Sequence, residues 1–324
     1  MLRRPVESNQ SRPLLPLSPS LIQQVWQEPG EQPAVMKLTR LLMAGFGLTQ
    51  LKSRFKLGRS IIQETIHYNE HKQIMKICLP HPSNRPAQPK AFFLFVHGGV
   101  WTTGLGSWRD FQAHSKQLAQ QGIACATVEY RMLPRHPYPA AADDVANAVE
   151  FLQQWLPQNR AQYAKKPASH PSEMPPIVLI GHSAGAHLAM LTALREKHLP
   201  IKAVVSFAGP TNLATWNSSF CLLQKNLFLL LTPPEEASPI TYVRPDAPTI
   251  HLYHGDQDII VDIEQSQEML AALKSAGVPV HFTQMHGQGH WFPFLSEFRK
   301  DVPLDFMEKI LADIMSSLDT TDAT

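Results

Sequence analysis

The chain has 324 residues, of which 44% are hydrophobic and 17% are charged, so it can bury a large core in one domain or two. Its formal net charge is only +2. This balance gives no electrostatic basis for a nucleic-acid partner, which requires a concentrated basic face. We therefore expect an ordinary globular protein that does not bind nucleic acid.

The first 60 residues differ in composition from the rest of the chain. Residues 1–20 are rich in proline, serine and arginine, which predicts a flexible tail. Residues 21–60 are predicted to form a basic amphipathic helical arm or cap, because the stretch 32–63 has six basic residues and no acidic ones. Gly45 and Gly47 interrupt the helical pattern, which favours an arm packed on the main domain. The alternative is a lid, or an element in peripheral contact with a membrane surface.

The cysteine content and the hydropathy pattern both favour a reducing, intracellular compartment. Cys78, Cys125 and Cys221 are widely spaced and odd in number, which predicts neither a disulfide framework nor a CxxC metal site. The basic start of the chain is not followed by the apolar stretch of a secretory signal, and no later run approaches membrane-spanning length. We expect a cytoplasmic protein with no integral membrane association.

Residues 61–318 are predicted to form an α/β domain, with a short tail at 319–324. Strand-like apolar runs lie at 91–96, 123–130, 177–180, 203–208, 249–254 and 278–284, and helical patterns lie near 109–121, 139–156, 184–195 and 262–276. This alternation predicts a mostly parallel central sheet with helices on both faces. The apolar stretch 213–233 interrupts the alternation and is a candidate cap insertion.

The strand-like run IVLI ends in the sequence GHSAG, at 181–185, which is followed by a helical pattern. G-x-S-x-G between a strand and a helix is the nucleophile elbow of α/β-hydrolases. Small residues are needed at 181 and 185, since larger side chains would collide with the neighbouring strand and helix. The pattern predicts Ser183 as a nucleophile; the alternative is a capping serine between packing glycines.

A nucleophilic serine requires a histidine base that is oriented by a carboxylate. Two acids, Asp256 and Asp258, follow the run at 249–254, and two histidines, His286 and His290, follow the run at 278–284. Serine, acid and histidine thus occur in the chain order of this fold, each after a strand. A metal site built from these side chains together with His254 is the weaker alternative, because no histidine pair lies in a metalloenzyme motif. We expect no metal.

The sequence FVHGGVW at 95–101 places two glycines directly after a buried strand. Glycine permits backbone conformations, and a close approach of ligand to backbone, that a side chain would prevent. Acyl transfer needs N–H donors for the developing oxyanion, and an HGG loop together with the residue after the nucleophile supplies them. We predict the amides of Gly98, Gly99 and Ala184 as the oxyanion hole; the alternative is a simple tight turn.

HGGVW, GHSAG and the segment VEYRMLPRHPYPAAADDVANAVEFL at 128–152 resemble the esterase and lipase branch of the α/β-hydrolases that carries an HGG motif, the hormone-sensitive lipase-like enzymes. The resemblance covers about residues 70–315. HGGxW with GHSAGAH is also similar to arylformamidases and prenylcysteine methylesterases. Val100 stands where a full HGGG motif has its third glycine, and Arg135 stands where the branch commonly has an acid.

The resemblance selects among the open candidates. HGDQDIIV is similar to the HGxxDxxV segment, whose aspartate is Asp258 here, and GQGHWF is similar to the segment that carries the histidine, which is His290 here. It implies that Tyr130, Arg131 and Asp144 tie the loop behind the site.

The resemblance also implies a serine hydrolase of small-molecule carboxylic esters with small or medium acyl or aryl groups, acting without a cofactor. Trp101 and Trp291 flank the oxyanion loop and the histidine, and are candidates to line the substrate pocket, with core packing as the alternative. The alternative activity is hydrolysis of an aryl formamide. A hydrolase-fold binding protein without catalysis is disfavoured, because all three triad residues are present.

Overall fold

The computed structural model describes residues 61–170, 173–292, 310–311, 313–316 and 318. The tail predicted at 1–20, the arm predicted at 21–60 and the tail predicted at 319–324 lie outside these residues. Within the described part of the chain, no helix is both long and apolar enough to cross a bilayer.

The described strands form one eight-stranded sheet in the order β1-β2-β4-β3-β5-β6-β7-β8. The strands are β1 (Ile62–His67), β2 (Ile74–Leu79), β3 (Phe92–Val96), β4 (Cys125–Val128), β5 (Ile177–His182), β6 (Ile201–Phe207), β7 (Thr249–Gly255) and β8 (Val280–Met285). The six strands from β4 to β8 in this order are parallel to one another, while β2 runs antiparallel to β4 and β1 antiparallel to β2.

The central strands are continuous apolar runs because both of their faces are covered. All five residues of β3 are buried. Phe92 and Leu94 contribute to the core on one face of the sheet, and Phe93 and Phe95 contribute to the core on the other. A strand that alternated polar and apolar residues would leave one of these cores incomplete.

Helices cover both faces. The α-helices are α1 (Gln112–Gln120), α2 (Ala140–Gln158), α3 (Ala184–Arg195), α4 (Leu222–Leu229) and α5 (Glu264–Ser275). Apolar residues of α2, α3 and α5 enter one core, whereas those of α1 and the helical residues between 310 and 318 enter the other. The predicted α/β-hydrolase architecture is confirmed.

The hairpin of β1 and β2 at the edge of the sheet was not among the predicted strands. Both are short, and β1 alternates half-buried residues with exposed Gln63, Thr65 and His67 along its length. That period-2 alternation is the sequence signal for the strand. β1 lacks the apolar run from which most of the other strands are predicted.

A buried ion pair joins the loop after β4 to α2. The Asp144 carboxylate accepts hydrogen bonds from the Arg131 backbone N–H, at 2.7 Å, and from Arg131 Nε, at 2.9 Å. It also accepts one from Asn69 Nδ2, at 2.9 Å, so both carboxylate oxygens are satisfied. The Asp144 side chain has no exposed surface. This pair fixes the loop on which Tyr130 lies.

Asp144→Ala should lower the free energy of unfolding by about 3 kcal/mol, because it leaves the Arg131 charge and backbone donor without their buried partner. Urea unfolding followed by tryptophan fluorescence measures this change. The neighbouring residue provides the control, since Asp143 pairs with Arg195 at 3.2 Å and its side chain is 46% exposed. Asp143→Ala should cost less than about 1 kcal/mol. Equal losses in the two variants would contradict the proposed importance of the buried pair.

Candidate active site

Ser183 occupies a strained turn between β5 and α3. Its backbone has φ 54° and ψ −122°, a region that residues with a side chain rarely adopt. Gly185 makes the turn compatible with the sheet, because a Cβ there would lie 2.1 Å from the Val96 carbonyl oxygen. The strand-to-helix turn therefore has the geometry that the GHSAG sequence predicts, and its first helical residue, Ala184, has no helical acceptor for its N–H.

The structure brings Ser183, His290 and Asp258 into one hydrogen-bonded chain. His290 Nε2 lies 2.9 Å from Ser183 Oγ, and His290 Nδ1 lies 2.7 Å from Asp258 Oδ2. This hydrogen bond between Ser183 and His290 is buried. Since a carboxylate only accepts hydrogen bonds, Nδ1 carries the hydrogen and Nε2 is free to accept the serine proton.

Asp258 is held by four donors. Its Oδ1 accepts the backbone N–H groups of Ile260 and Val261, both at 2.9 Å. His254 Nε2 lies 3.4 Å from Oδ2, the same oxygen that His290 contacts. Burial raises the pKa of the Asp258 carboxyl, but the contacts with His254 and His290 and their charges outweigh it and hold this pKa well below its usual range. The carboxylate is therefore ionised wherever the protein is folded at ordinary pH.

The competing pair lies apart from the serine. Asp256 Oδ2 is 3.0 Å from Nδ1 of His286, whose side chain is 82% exposed, and Asp256 Oδ1 accepts the Gly287 N–H at 2.7 Å. Asp256 thus ties together the loops after β7 and β8. Of the two candidate acid–base pairs in the sequence, only Asp258 and His290 adjoin Ser183.

His182 fixes the loop that carries His290. Its Nε2 donates a hydrogen bond to the His290 carbonyl oxygen at 2.8 Å, and the two rings lie 4.8 Å apart. Burial lowers the pKa of His182 to about 3, so the ring stays neutral and has a single N–H for this bond. Trp291 is half-buried, and its ring lies 5.3 Å from His182 and 5.1 Å from His290, beside the candidate site.

The loop after β3 lies beside the serine. An ideal Cβ on Gly98 would be 3.3 Å from Ser183 Cβ. Gly99 has φ +106°, and Val100 and Trp101 also have positive φ, so the chain makes a strained reversal here. Among the described residues, neither the Gly98 nor the Gly99 amide donates a hydrogen bond. These two N–H groups are therefore available to a ligand.

Trp101 packs in the core beneath this loop. Its ring is 1% exposed, stacks on Phe228 at 4.2 Å and meets His187 edge-on at 5.2 Å. The backbone of Leu133 donates a hydrogen bond to the Trp101 carbonyl at 2.7 Å. This burial favours the packing alternative for Trp101 over the pocket-lining role. The indole holds the strained loop in place instead of contacting solvent.

The arrangement can perform nucleophilic acyl transfer. It has a serine with an adjacent base, a base with an oriented acid, and unpaired backbone donors next to the serine. Among the residues that the structure describes, no group of three or more histidine, cysteine or acidic side chains is placed to hold a metal ion.

Comparison with known proteins identifies the family. The BD-FAE family matches residues 75–273, well over half of the chain, a span that includes the HGG loop, the turn at Ser183 and Asp258. The chain belongs to the BD-FAE family. His290 lies beyond the matched segment, so its assignment depends on the geometry above.

Relatives of this BD-FAE protein are ester hydrolases. Esterase LipQ of Mycobacterium tuberculosis is 26% identical over 254 residues, which cover 72% of this chain and 58% of LipQ. The isoprenylcysteine alpha-carbonyl methylesterase ICME of Arabidopsis thaliana is 25% identical over 283 residues, which cover 79% of this chain and 62% of ICME. The chain spans 54% to 69% of the length of such relatives.

Solved structures share the fold. Esterase B of Lactobacillus rhamnosis aligns with a TM-score of 0.67 at 17% identity, covering 89% of this chain and 96% of its own. An esterase/lipase from an uncultured bacterium aligns with a TM-score of 0.65 at 17% identity, covering 92% and 96%. At these identities the likeness shows the α/β-hydrolase fold alone.

Sequence reasoning missed the second histidine at the acid. His254 Nε2 donates to the Val261 carbonyl at 2.8 Å and Nδ1 lies 2.7 Å from Ser266 Oγ, so the ring is locked against Asp258. The signal was present in the sequence HGDQD, where His254 lies four residues before Asp258. It was considered only as part of a metal site, because a histidine inside an apolar strand gives no sign of which loop its ring faces.

The backbone strain at Ser183 predicts an order of stability between two variants. Ser183→Gly should be about 1 kcal/mol more stable than Ser183→Ala, because glycine adopts this φ and ψ without strain. Thermal unfolding of both variants measures the difference. At Ser115, inside α1, the same pair should rank in reverse, since glycine is the poorer helix former. If alanine were the more stable residue at 183, the turn would not be strained.

Proposed function

We propose that this BD-FAE protein is a serine hydrolase that cleaves carboxylic esters through Ser183, His290 and Asp258. The observation that carries the proposal is the buried contact chain from Ser183 Oγ to His290 and on to Asp258, at 2.9 and 2.7 Å. Relatives named as esterases and methylesterases support the same bond type.

In the proposed reaction His290 Nε2 takes the Ser183 proton as Oγ attacks the ester carbonyl carbon. The amides of Gly98, Gly99 and Ala184 then hold the oxyanion of the tetrahedral intermediate. His290, kept in position by Asp258, gives the proton to the leaving alcohol, and an acyl-enzyme forms. Water, deprotonated by the same histidine, releases the acid.

The proposed substrates are small molecules with small or medium acyl or aryl groups, and Trp291 is the aromatic side chain beside the reacting atoms. No step requires a cofactor. Ester hydrolysis is favoured over aryl formamide hydrolysis because the relatives named above act on esters by their names. The three cysteines are free, which supports a reducing compartment and thus the cytoplasm.

A fluorophosphonate probe should label the protein covalently at Ser183, and p-nitrophenyl esters from acetate upward should be hydrolysed. Ser183→Ala should abolish labelling and lower kcat by at least about 10³-fold, since the nucleophile is lost. Intact-protein mass spectrometry and release of p-nitrophenolate are the two measurements. A folded wild-type protein that is neither labelled nor active would overturn the proposal.

Two aspartates two residues apart provide a matched pair for the acid. Asp258→Asn should reduce kcat by about 10³- to 10⁴-fold, because an amide cannot hold His290 in the tautomer that accepts the serine proton. Asp256→Asn should change kcat by less than about threefold, since the described partners of the Asp256 carboxylate are His286, Gly287 and Gln284, away from Ser183. The reverse ranking would assign the acid role to Asp256.

We also propose that the segments 213–233 and 21–60 shape the substrate entrance of a hydrolase domain that spans 61–318. Support for the first comes from its position. Trp216 Nε1 donates to the Ile260 carbonyl at 3.2 Å, next to the acid, and Phe228 stacks on Trp101 of the oxyanion loop. Phe220 and Leu231 of the same segment are exposed, as is Ile259 beside Asp258.

Deletion of residues 1–60 should change the preference for acyl-chain length, measured as kcat/KM on p-nitrophenyl acetate, butyrate and octanoate. The physical reason is that an amphipathic segment over the entrance would contribute apolar contacts only to longer chains. Leu231→Ser tests the insertion in the same assay at little cost in folding, as this side chain is 90% exposed. An unchanged preference in a folded deletion variant would remove the arm from the entrance.

A further inference from the structure

Each predicted oxyanion amide of the HGG loop belongs to a peptide group whose carbonyl is bound by a side chain. The Gly98 N–H shares its peptide group with the His97 carbonyl, and the Gly99 N–H shares its peptide group with the Gly98 carbonyl. A hydrogen bond to a peptide oxygen polarises the whole amide and makes its N–H a stronger donor. The side chains that bind the two carbonyls therefore change the donor strength of the N–H groups predicted to form the oxyanion hole.

Resting on the proposed function, we propose that Tyr130, His97 and Glu129 are positioning residues that hold and polarise the two peptide groups whose N–H groups bind the oxyanion. They touch neither the substrate nor Ser183. Their effect is transmitted through the backbone of the oxyanion loop.

Tyr130 acts on the first peptide group. Its hydroxyl donates a hydrogen bond to the His97 carbonyl at 2.9 Å and lies 3.4 Å from the Gly98 carbonyl. The Tyr130 side chain is buried, and its ring stacks on the His97 ring with centroids 4.3 Å apart and an angle of 13°. A buried hydroxyl in this geometry has a fixed direction, because the ring cannot rotate away from the stack.

His97 acts on the second peptide group. Its Nδ1 lies 2.8 Å from the Gly98 carbonyl oxygen, which can only accept, so Nδ1 carries a hydrogen. The backbone of Gly106 covers this oxygen, since a Cβ at 106 would lie 2.1 Å from it. The hydrogen bond is thus shielded from water, where it has its largest electrostatic effect.

Glu129 makes the His97 ring a cation. The buried Nε2 of His97 has no hydrogen-bond partner among the described residues, and Glu129 Oε2 lies 3.4 Å away, which is an ion-pair distance. A neutral ring would direct a lone pair at this carboxylate, whereas a protonated ring forms an ion pair with it. Burial lowers the pKa of His97. The hydrogen bond and charge of Glu129, with a weaker contribution from Asp110, raise it by a larger amount, so the pKa lies above its usual value. The pKa of Glu129 is lowered by the same contact against the opposing effect of burial.

The hydrogen bond from His97 Nδ1 to the Gly98 carbonyl is therefore charge-assisted. This carbonyl shares its peptide group with the Gly99 N–H, a proposed oxyanion donor. Hydrogen bonds from a charged donor are about twice as strong as neutral ones. Loss of a single oxyanion donor commonly costs about 10²- to 10³-fold in kcat, so a partial weakening of one donor should cost about tenfold. The Glu129 carboxylate is itself oriented by the Trp108 N–H, at 2.9 Å, which fixes the position of Glu129 relative to His97.

The test compares an ester with its thionoester, in which sulfur replaces the carbonyl oxygen and accepts hydrogen bonds weakly. Variants are Glu129→Gln, His97→Asn and Tyr130→Phe in the full chain. Glutamine can still accept from Trp108 and donate to a neutral His97 ring, and asparagine can place a neutral donor near the position of Nδ1. Each variant therefore removes the charge or the hydroxyl with little change in packing.

On the ester, kcat should fall about tenfold in Glu129→Gln and His97→Asn and about threefold in Tyr130→Phe. The rate on the thionoester should change little in each. The ratio of the two rates should fall accordingly, with KM nearly constant. His97→Ala should lose more activity than His97→Asn, because the neutral donor partly restores the bond. Tyr163→Phe is the control, since it removes another buried hydroxyl that donates to a backbone carbonyl, at 2.8 Å, away from the loop.

An equal loss on ester and thionoester, or no loss, in folded variants would overturn this inference while leaving the proposed function intact. By contrast, a wild-type protein that hydrolyses neither substrate, or a Ser183→Ala variant that retains activity, would overturn the proposed function itself. Thermal unfolding of each variant beside Tyr163→Phe separates a loss of fold from a loss of polarisation.

Discussion

The close approach of two backbones determines the geometry of this protein's candidate site. The start of α3 meets the end of β3 at Gly185, where no side chain fits between helix and strand. This contact lets the turn at Ser183 stand directly beside the loop that begins at His97. A serine on a wider turn would lie too far from the Gly98 and Gly99 amides to share one carbonyl group with them. The strain at Ser183 is the cost of that proximity, and the packing of α3 between sheet and neighbouring helices sustains it.

Several buried histidines lie at or near this turn, and the partners of each ring define its role. His97 faces a carboxylate and a carbonyl, which favours a cation. His182 faces the carbonyl of His290 in an apolar setting, which favours a neutral donor. His254 and His290 both contact Asp258 Oδ2; the His254 ring is also bound by a backbone carbonyl and a hydroxyl, while His290 Nε2 contacts Ser183 Oγ. Histidine thus takes different protonation states in these positions, because in a buried setting the hydrogen-bond partner of each ring determines whether it is charged.

The sequence predicted the architecture because the parallel strands are apolar on both faces and the helices between them are periodic. It predicted Ser183 because its flanking glycines and its position between strand and helix are both local features. The choice of Asp258 over Asp256 depended on a resemblance, since two acids in one loop differ only in where their side chains point. The roles of Tyr130 and Glu129 toward the oxyanion loop were beyond local patterns, because they depend on which strands of the sheet are neighbours. Likewise, burial of Trp101 followed from α4, a helix distant in sequence.

The stack of Trp101 on Phe228 connects two parts of the chain that are usually considered separately. Phe228 belongs to the segment 213–233, which is proposed to shape the substrate entrance, while Trp101 continues the strained loop that carries the proposed oxyanion donors. A substitution in α4 that adapts the entrance to a new acyl group therefore also changes the support of that loop. In terms of the proposed function, this contact couples the segment that shapes the entrance to the loop that holds the oxyanion. Divergence toward new substrates should consequently proceed through paired changes on either side of the indole.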